Sequence, residues 1–516
     1  MIGYQLEIQA AHRPDAVALA YGARTLNYRD LRQRACKLAQ AMSAAGVAPG
    51  DRVAVLLHNC PHFFEALFAS AMLGAVFVPV NFRLVAREIG QIFAACSPSL
   101  LLAGEGFAPL LDTLRTAAYF PAQLHWIDDQ PPASPVTADG PYERWINAFA
   151  PDAPETVVAA DAVHMLLHSS GTTGLPKGIV FTYAGTWASS SAKIIDFSLT
   201  PQDVTVVFGP LFHAGPLMDL ALPLLLRGGQ VVLGASRQFD PRTLLHTIAA
   251  HRGTVIPIYP TMLRRVLGTP PEADQDLSSL RLIITGGEAA PVPVIEGVLQ
   301  RFPQAAFVNN YGSTEGGPVT TYLAPEHSRR KIGSVGKESF GVQVRIVRPD
   351  GASAVPGEVG ELTVRSAFVT PGYWNRPDAT AAQLHAGWWF TGDLAWRDDE
   401  GFLWISGRSK DMIKSGTENI YPIEVEQVIA AIPGVVEVAV IGVPDESWGE
   451  SVAAFVVAAP NSGLDKAAIV AYCRIHLASY KKPRHVRFID NLPRGTTNKV
   501  AKGVLRGMWA NDLPST

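Results

Sequence analysis

Cysteine is scarce in this chain: four in 516 residues, Cys36, Cys60, Cys96 and Cys473. They lie far apart and form no Cys-x-x-Cys pair, which leaves no basis for a disulfide framework or a thiolate zinc site. Reduced thiols and a cytoplasmic location are the expectation. An excess of either charge is also missing, with 43 basic against 46 acidic residues and a net charge of −3. That balance points neither to nucleic acid nor to an anionic membrane. No apolar run reaches the ~18 uninterrupted residues of a membrane helix. The run from Ala66 to Val80, for instance, is broken by Gly74 and Pro79. Met1 to Ala11 lacks a basic region followed by an apolar one, so no signal peptide is expected. No internal repeat is present.

What is there reads as a globular enzyme. Hydrophobic residues make up 48% and charged residues 17%. The length exceeds one ordinary core, so two or more domains are expected. Residues 25–46 carry apolar positions at helical spacing, from Tyr28 through Leu31, Ala35, Leu38, Ala39 and Met42, with Gly46 as a stop. The turn Gly50-Asp51-Arg52 leads into a buried-type strand, Val53 to Leu57. A helix from His62 to Leu73 and a strand from Ala75 to Val80 follow. Strand, helix, strand implies a parallel pair with a crossover, hence an α/β layered fold. Residues 128–161, with several prolines and few apolar runs, read as a loop-rich connection.

The stretch from Ser169 to Gly178 reads Ser-Ser-Gly-Thr-Thr-Gly-Leu-Pro-Lys-Gly. Apolar runs flank it, so it reads as a tight loop joining a hairpin. Glycines let backbone N–H groups converge on an anion, hydroxyls add donors and Lys177 adds positive charge: a phosphate cradle. It is not the common P-loop, because Pro176 precedes the lysine and Gly178, not a hydroxyl residue, follows it. The segment resembles the phosphate-loop signature of adenylate-forming enzymes: acyl- and aryl-CoA ligases, luciferases and peptide-synthetase adenylation domains.

Later motifs agree with that resemblance, which runs from about Tyr21 to Arg506. Leu282 to Ala289 and Val308 to Glu315 are strands ending in flexible residues, where ligands bind in α/β sheets. Tyr311 offers a ring to a base, Thr314 a hydroxyl to a phosphate, and Glu315 a hard oxygen ligand to Mg²⁺. Asp393, after the run Trp388 to Gly392, matches the family's ribose-binding aspartate, a plain turn aspartate being the alternative. The resemblance implies an ATP site made of Ser169, Ser170, Gly171, Thr172, Thr173, Gly174, Lys177, Gly287, Glu288, Ala289, Asn310, Tyr311, Gly312, Ser313, Thr314, Asp393, Arg408 and Lys499. It implies catalytic roles for Lys499, Glu315 and Thr172, with Glu315 as the metal ligand.

For the acyl pocket it implies His213, Asp219, Tyr259, Gly286 and Gly312. His213 stands in Gly209-Pro210-Leu211-Phe212-His213-Ala214-Gly215-Pro216, where the family lines and gates that pocket; a packed core histidine is the alternative. Asp219, within the apolar run Leu217 to Leu226, is expected on an exposed helix face; the alternative is that it reads a polar group on the substrate. Tyr259 either shapes the acyl cavity or is a packed aromatic. Together with Ser313 these residues suggest a pocket more polar than a pure fatty-acid tunnel. The resemblance further implies a hinge at Lys410 and a CoA site made of Lys414, Gly416, Thr417, Trp448 and Lys482, although Trp448 could equally be a packing residue. Three positions depart from the family pattern: Asp219, where many relatives carry an apolar or amide residue, and Thr417 and Asn498, which each stand where relatives carry glycine. Asn tolerates left-handed backbone better than most residues.

The expected fold is α/β, with a large multi-subdomain N-terminal domain of layered sheets and helices, residues 1–408, and a small mobile α/β domain, residues 409–516. The small domain reads as a helix Ile423 to Ile432, strands Val436 to Val443 and Ser451 to Val457, and a helix Lys466 to Leu477. The expected activity is an ATP-dependent carboxylic acid–CoA ligase, with ATP, Mg²⁺ and CoA. The rivals are an enzyme loading a carrier protein, a luciferase-like oxygenase and a non-catalytic ATP-binding protein. A monomer or homodimer is expected.

Overall fold

The computed structural model describes residues 2–115, 119–128, 141–169, 176–237, 239–272, 275–416, 418–495 and 499–511. Among these, two large sheets build the first part of the chain. One has nine strands in the order Lys337–Glu338, Gly317–Leu323, Ala306–Ser313, Leu282–Thr285, Val255–Pro257, Val204–Val207, Gln230–Leu233, Val17–Tyr21 and Arg24–Asn27. The other has six, in the order Gln123–Ile127, Leu100–Gly104, Arg52–Leu56, Val76–Pro79, Val163–Ser169 and Lys177–Thr182. The α/β layering read from the sequence is what forms. Strand Arg52–Leu56 pairs in parallel with Val76–Pro79, Val53 opposite Phe77, through the crossover helix Pro61–Leu73.

That helix is buried on every side, as a helix apolar all round must be. Phe63, Phe64 and Phe68 each contribute about 1.5–3 kcal/mol by leaving water. One charge rides in with them. Glu65 is fully buried and accepts from Arg34 Nε at 2.7 Å, Arg34 Nη2 at 3.1 Å and the Tyr142 hydroxyl at 2.8 Å. Arg34 also reaches Glu143 at 2.6 Å.

The first long helix is Tyr28–Ala44, shorter at its start than periodicity suggests. Residues 24–27 form a strand instead, and Asn27 caps the helix by accepting from Asp30 N at 2.7 Å. The connection before the phosphate loop also differs from expectation, because Pro141–Asn147 is helical. Seven residues show too little periodicity to be read. Tertiary contacts hold them: Trp145 stacks on His125 at 3.6 Å, and Tyr142 bonds Glu65.

An antiparallel sheet of Gln343–Val347, Gly360–Arg365, Trp388–Arg397, Leu384–His385 and Leu403–Arg408 follows. A last sheet, Glu418–Ile420, Ile413–Ser415, Gly449–Ala458, Val435–Asp445 and His485–Phe488, carries the helices Pro422–Ala430 and Lys466–His476 on its own core around Val440, Val456 and Ile469. Its two long strands outrun their sequence-based limits because they pair together from Val435–Ala458 to Asp445–Gly449. No helix among the described residues is long and apolar enough to cross a membrane.

Candidate functional site

Four strand ends converge on one cleft. The first belongs to the hairpin of Val163–Ser169 and Lys177–Thr182, which forms as expected, with Ser169 opposite Lys177. The tip of the expected phosphate cradle, Ser170, Gly171, Thr172, Thr173 and Gly174, lies outside the described residues. Lys177 places its ammonium 4.9 Å from the centre of the Tyr373 ring. The Tyr373 hydroxyl donates to Glu315 Oε1 at 3.0 Å.

Glu315 stands in the turn between Ala306–Ser313 and Gly317–Leu323. That turn is held by Gly316 N donating to Ser313 Oγ at 2.8 Å and, from below, by Thr370 N donating to the Glu315 carbonyl at 2.9 Å. Gly317 has φ +109°, and a Cβ on Gly312 would sit 2.1 Å from the Pro318 carbonyl oxygen, so the backbones approach closely there. On the same strand Tyr311 donates to Asp393 Oδ2 at 2.6 Å. Asp393 pairs across the sheet with Arg408, whose Nε lies 3.1 Å from Oδ1. Strand Leu282–Thr285 ends at Gly286 and Gly287. A Cβ on Gly286 would meet Asn310 Oδ1 at 2.1 Å, and Gly287 has φ +82°. Glu288 accepts from Thr261 N at 3.0 Å; burial pushes its carboxyl up, against the pull of that bond and of nearby cations.

Lys499 enters from the last part of the chain. Gly495 N donates to its carbonyl at 2.8 Å. The preceding Arg494 grips Glu437 at 2.5 Å, and Glu437 in turn meets Arg264 of the large domain at 3.4 Å. The Lys499 ammonium is walled by the cleft while its surface stays open to the cavity. Desolvation pushes its pKa down, and Arg408 pushes the same way; Asp393, Glu288 and Glu315 oppose them.

Two cavities meet at this lysine. The larger, about 770 Å³, holds Tyr311, Asp393, Arg408 and Lys410. The smaller, about 260 Å³, holds His213, Asp219, Tyr259, Ser313, Thr314 and the apolar Phe208, Met262 and Ile284. Gly287, Glu288, Asn310, Gly312 and Lys499 line both, while Ala289 belongs to the larger and Gly286 to the smaller. The Tyr259 side chain rests over three glycines: a Cβ on Gly209 or Gly287 would meet its ring at 3.6 or 3.1 Å, and one on Gly215 its hydroxyl at 2.8 Å. Burial, then Arg83 and Lys499, lower His213 to about 3, so its ring is neutral at physiological pH.

Asp219 corrects an expectation. It is not on an exposed face: it is 9% exposed, in a π-helical stretch Gly215–Ala221. Burial raises its pKa and the buried Lys193 draws it back. The sequence showed the apolar run but not this counter-charge, which sits 26 positions earlier on the helix Tyr183–Asp196. Tyr373 and Arg83 were missed as well. Neither lies in a motif with a chemical signature, and only the fold carries them to the site.

The expected CoA residues stand apart from both cavities. Gly416 N donates to the Trp448 carbonyl at 2.7 Å, and the indole packs 3.0 Å from where a Gly416 Cβ would be. The cation over that indole is Arg484, at 5.5 Å, while Lys482 bonds the Ser479 carbonyl at 2.8 Å. Lys414 N donates to Glu450 at 2.8 Å. Thr417 lies outside the described residues. Lys410 occupies the short turn Ser409–Asp411, which Arg506 ties through Asp411 at 2.9 Å.

Known proteins resemble this chain along its length. A family model of AMP-binding enzymes matches residues 6–374, and one of the AMP-binding enzyme C-terminal domain matches 424–499. The chain is 39% identical over 501 residues to a feruloyl-CoA synthase of Amycolatopsis, covering 96% of this chain and 97% of the relative. It is 37% identical over 506 residues to an indoleacetate–CoA ligase of Aromatoleum aromaticum, covering 98% and 97%. An anthranilate CoA ligase solved with anthranoyl-AMP superposes with a TM-score of 0.92 at 26% identity, covering 99% and 98%. The chain belongs to the AMP-binding enzyme family, and within it to the acid–thiol ligases that form AMP.

Proposed function

We propose that this chain joins a carboxylic acid to coenzyme A through an acyl-adenylate, using the residues gathered around Lys499. A carboxylate is a poor electrophile and needs a better leaving group. Its oxygen attacks the α-phosphorus of ATP, the bond to the β-phosphate oxygen breaks, and pyrophosphate leaves. The thiolate of CoA then attacks the acyl carbon, the acyl C–O bond breaks, and AMP leaves. The first step is mostly positioning and charge neutralisation. The observation that carries this reading is a single lysine from the last segment, set where a nucleotide-sized cleft opens into a separate small cavity.

In this reading Tyr311 stacks on adenine, while Asp393 and Arg408 hold the ribose. Lys177 and the loop beginning at Ser169 hold the outer phosphates, with Thr172 at the reacting end and Thr314 near the α-phosphate. Lys499 holds the carboxylate and the α-phosphate oxygen together. His213, Tyr259 and Gly286 shape the acyl cavity, and a neutral His213 suits an apolar gate. Glu315 fits as a Mg²⁺ ligand: Tyr373 takes one of its oxygens and no described residue bonds the other. The described residues hold no cluster of three or more acidic, His or Cys side chains suited to a metal, so the donor set fits an ion whose remaining ligands are phosphate and water. Such an ion would supply charge neutralisation to the phosphates. We place the domain boundary at residues 408–409 and the enzyme in the cytoplasm.

The test is ATP–pyrophosphate exchange across medium-chain, aromatic and dicarboxylic acids, followed by product analysis with CoA and with acyl carrier protein. Acid-dependent exchange and an acyl-CoA product are expected. Exchange with no thioester on CoA, but one on a carrier, would move the acceptor.

Trp448, Gly416 and Lys414 stand away from the cleft, so the small domain must turn before CoA meets the adenylate. Lys410, exposed in its short turn, is the pivot we assign. Lys410→Pro fixes φ there. It should slow thioester formation by about tenfold or more relative to adenylation, in line with gating by a conformational step. Equal losses in both half-reactions, measured separately, would remove Lys410 from that role.

A further inference from the structure

The small cavity holds a group that neither chemical step uses. Asp219 lines it, is 9% exposed, and has an Oδ1 that is buried with no hydrogen-bond partner. Its charge is answered through space by Lys193, which is fully buried, donates to Ser189 Oγ at 2.6 Å and lies 4.8 Å from the Phe368 ring. Lys193 therefore balances a charge without satisfying the acceptor. A buried carboxylate short of hydrogen bonds is costly, and a partner that reaches its cavity-side oxygen is favoured accordingly.

Tyr259 adds a second polar atom. Its hydroxyl makes no hydrogen bond among the described residues and sits 2.8 Å from the point a Gly215 Cβ would occupy. Asp219 Oδ2 lies 3.6 Å from that same point. Gly215 thus leaves open the space that both oxygens border. The wall around it is otherwise largely apolar, with Phe208, Met262 and Ile284. Asp219 borders only the small cavity, while Lys499 borders both. An acid whose carboxylate is held at Lys499 presents its remote end to Asp219.

The chemistry of that remote end follows from charge. Bare hydrocarbon leaves Oδ2, the carboxylate oxygen on the Gly215 side, and the Tyr259 hydroxyl without a partner. An ammonium enters beside a pair that is already neutral, with the Arg83 cation on the same wall, and its charge stays uncompensated. A neutral hydroxyl donates to the carboxylate and accepts from the phenol. Resting on the ligase reading above, we propose that Asp219 and Tyr259 form a hydroxyl-reading end of the acyl cavity, so that the acid this enzyme activates carries a hydroxyl remote from its carboxylate.

Matched acids test this in the wild-type enzyme: 4-hydroxycinnamate against cinnamate, and 8-hydroxyoctanoate against octanoate, scored by kcat/KM for pyrophosphate release. A site built to bond a hydroxyl rejects the analogue without it strongly, so a preference of at least about fivefold is expected in one pair or both. A smaller ratio in both pairs, or 8-aminooctanoate preferred over the hydroxy acid, overturns the inference. Asp219→Asn and Asp219→Leu should bring the ratio towards unity, and Tyr259→Phe should lower it part of the way. An unchanged ratio in a folded Asp219 variant also overturns it. If a variant fails to fold, the wild-type ratios decide alone. No pyrophosphate release with any acid, these or the wider panel, would sink the ligase reading itself. Release without hydroxyl preference sinks only this step.

Discussion

Lys499→Ala should cut acyl-adenylate formation by about 10²–10³-fold, the usual loss when one preorganised charge at a reacting oxygen is removed. Thioester formation from supplied acyl-AMP and CoA should survive. The reason is geometric. Lys499 lies where the two cavities join, among Arg408, Asp393, Glu288 and Glu315. It is thus within reach of an acid in one cavity and a nucleotide in the other. Gly416 and Trp448, proposed for CoA, contact each other and border neither cavity. The proposed domain turn that brings them in would take Lys499 out, and the second step should then proceed without it. Stopped-flow pyrophosphate release and a separate acyl-AMP assay report the two steps. Loss of both to the same degree, or of neither, would refute the assignment.

Glu65→Ala should cost about 3–5 kcal/mol of stability, the range for breaking one partner out of a buried ionic network. The substitution leaves Arg34 and the Tyr142 hydroxyl buried with one acceptor fewer. It also opens a hole in a helix that has no exposed face. Urea unfolding should show a lower midpoint at an unchanged slope. The pH dependence has a definite sign. Burial alone would raise the Glu65 pKa, but Arg34, then His62 and Arg24, reverse this and hold it at about 2, against an ordinary 4.5. A carboxyl with a lowered folded pKa stabilises fully above its unfolded value and loses that contribution as pH falls towards the folded one. The Glu65 share, about 3 kcal/mol for a shift of this size, is therefore present above pH 4.5 and lost on the way down to pH 2. The alanine variant should lack that part of the wild-type acid slope. An identical slope would mean Glu65 is not the titrating group.

The elements that sequence reading recovers have local causes. The hairpin at 163–182 forms between two apolar runs, and its register sets Lys177 opposite Ser169. Tyr311 and Asp393 stand in separate motifs, and they meet at 2.6 Å because the fold sets strand Ala306–Ser313 of the nine-stranded sheet beside strand Trp388–Arg397 of the antiparallel one. Tyr259, open from its sequence between a cavity wall and a packed aromatic, lines the smaller cavity with three glycines making room for it. What escaped is long-range. Asp219 looks like a solvent-facing charge until Lys193 is brought behind it. Glu65 sits in a helix whose apolar pattern says buried, yet its partners come from positions 34 and 142. The short helix Pro141–Asn147 has no periodicity to betray it, only neighbours. Local chemistry marks where a motif is; pairing of charges across the fold leaves no mark in a single sequence.

The grip of Glu437 on Arg264 has a consequence of its own. This fastening between the lobes is an ion pair whose side chains stay 29% and 20% accessible to water. Contacts of that kind are worth roughly 0–1 kcal/mol, enough to choose an orientation and too little to trap it. Dissolved electrolyte screens such a pair but not apolar packing. Ionic strength should therefore tilt the balance between the two proposed postures, favouring release of the small lobe in brine and its retention in dilute buffer.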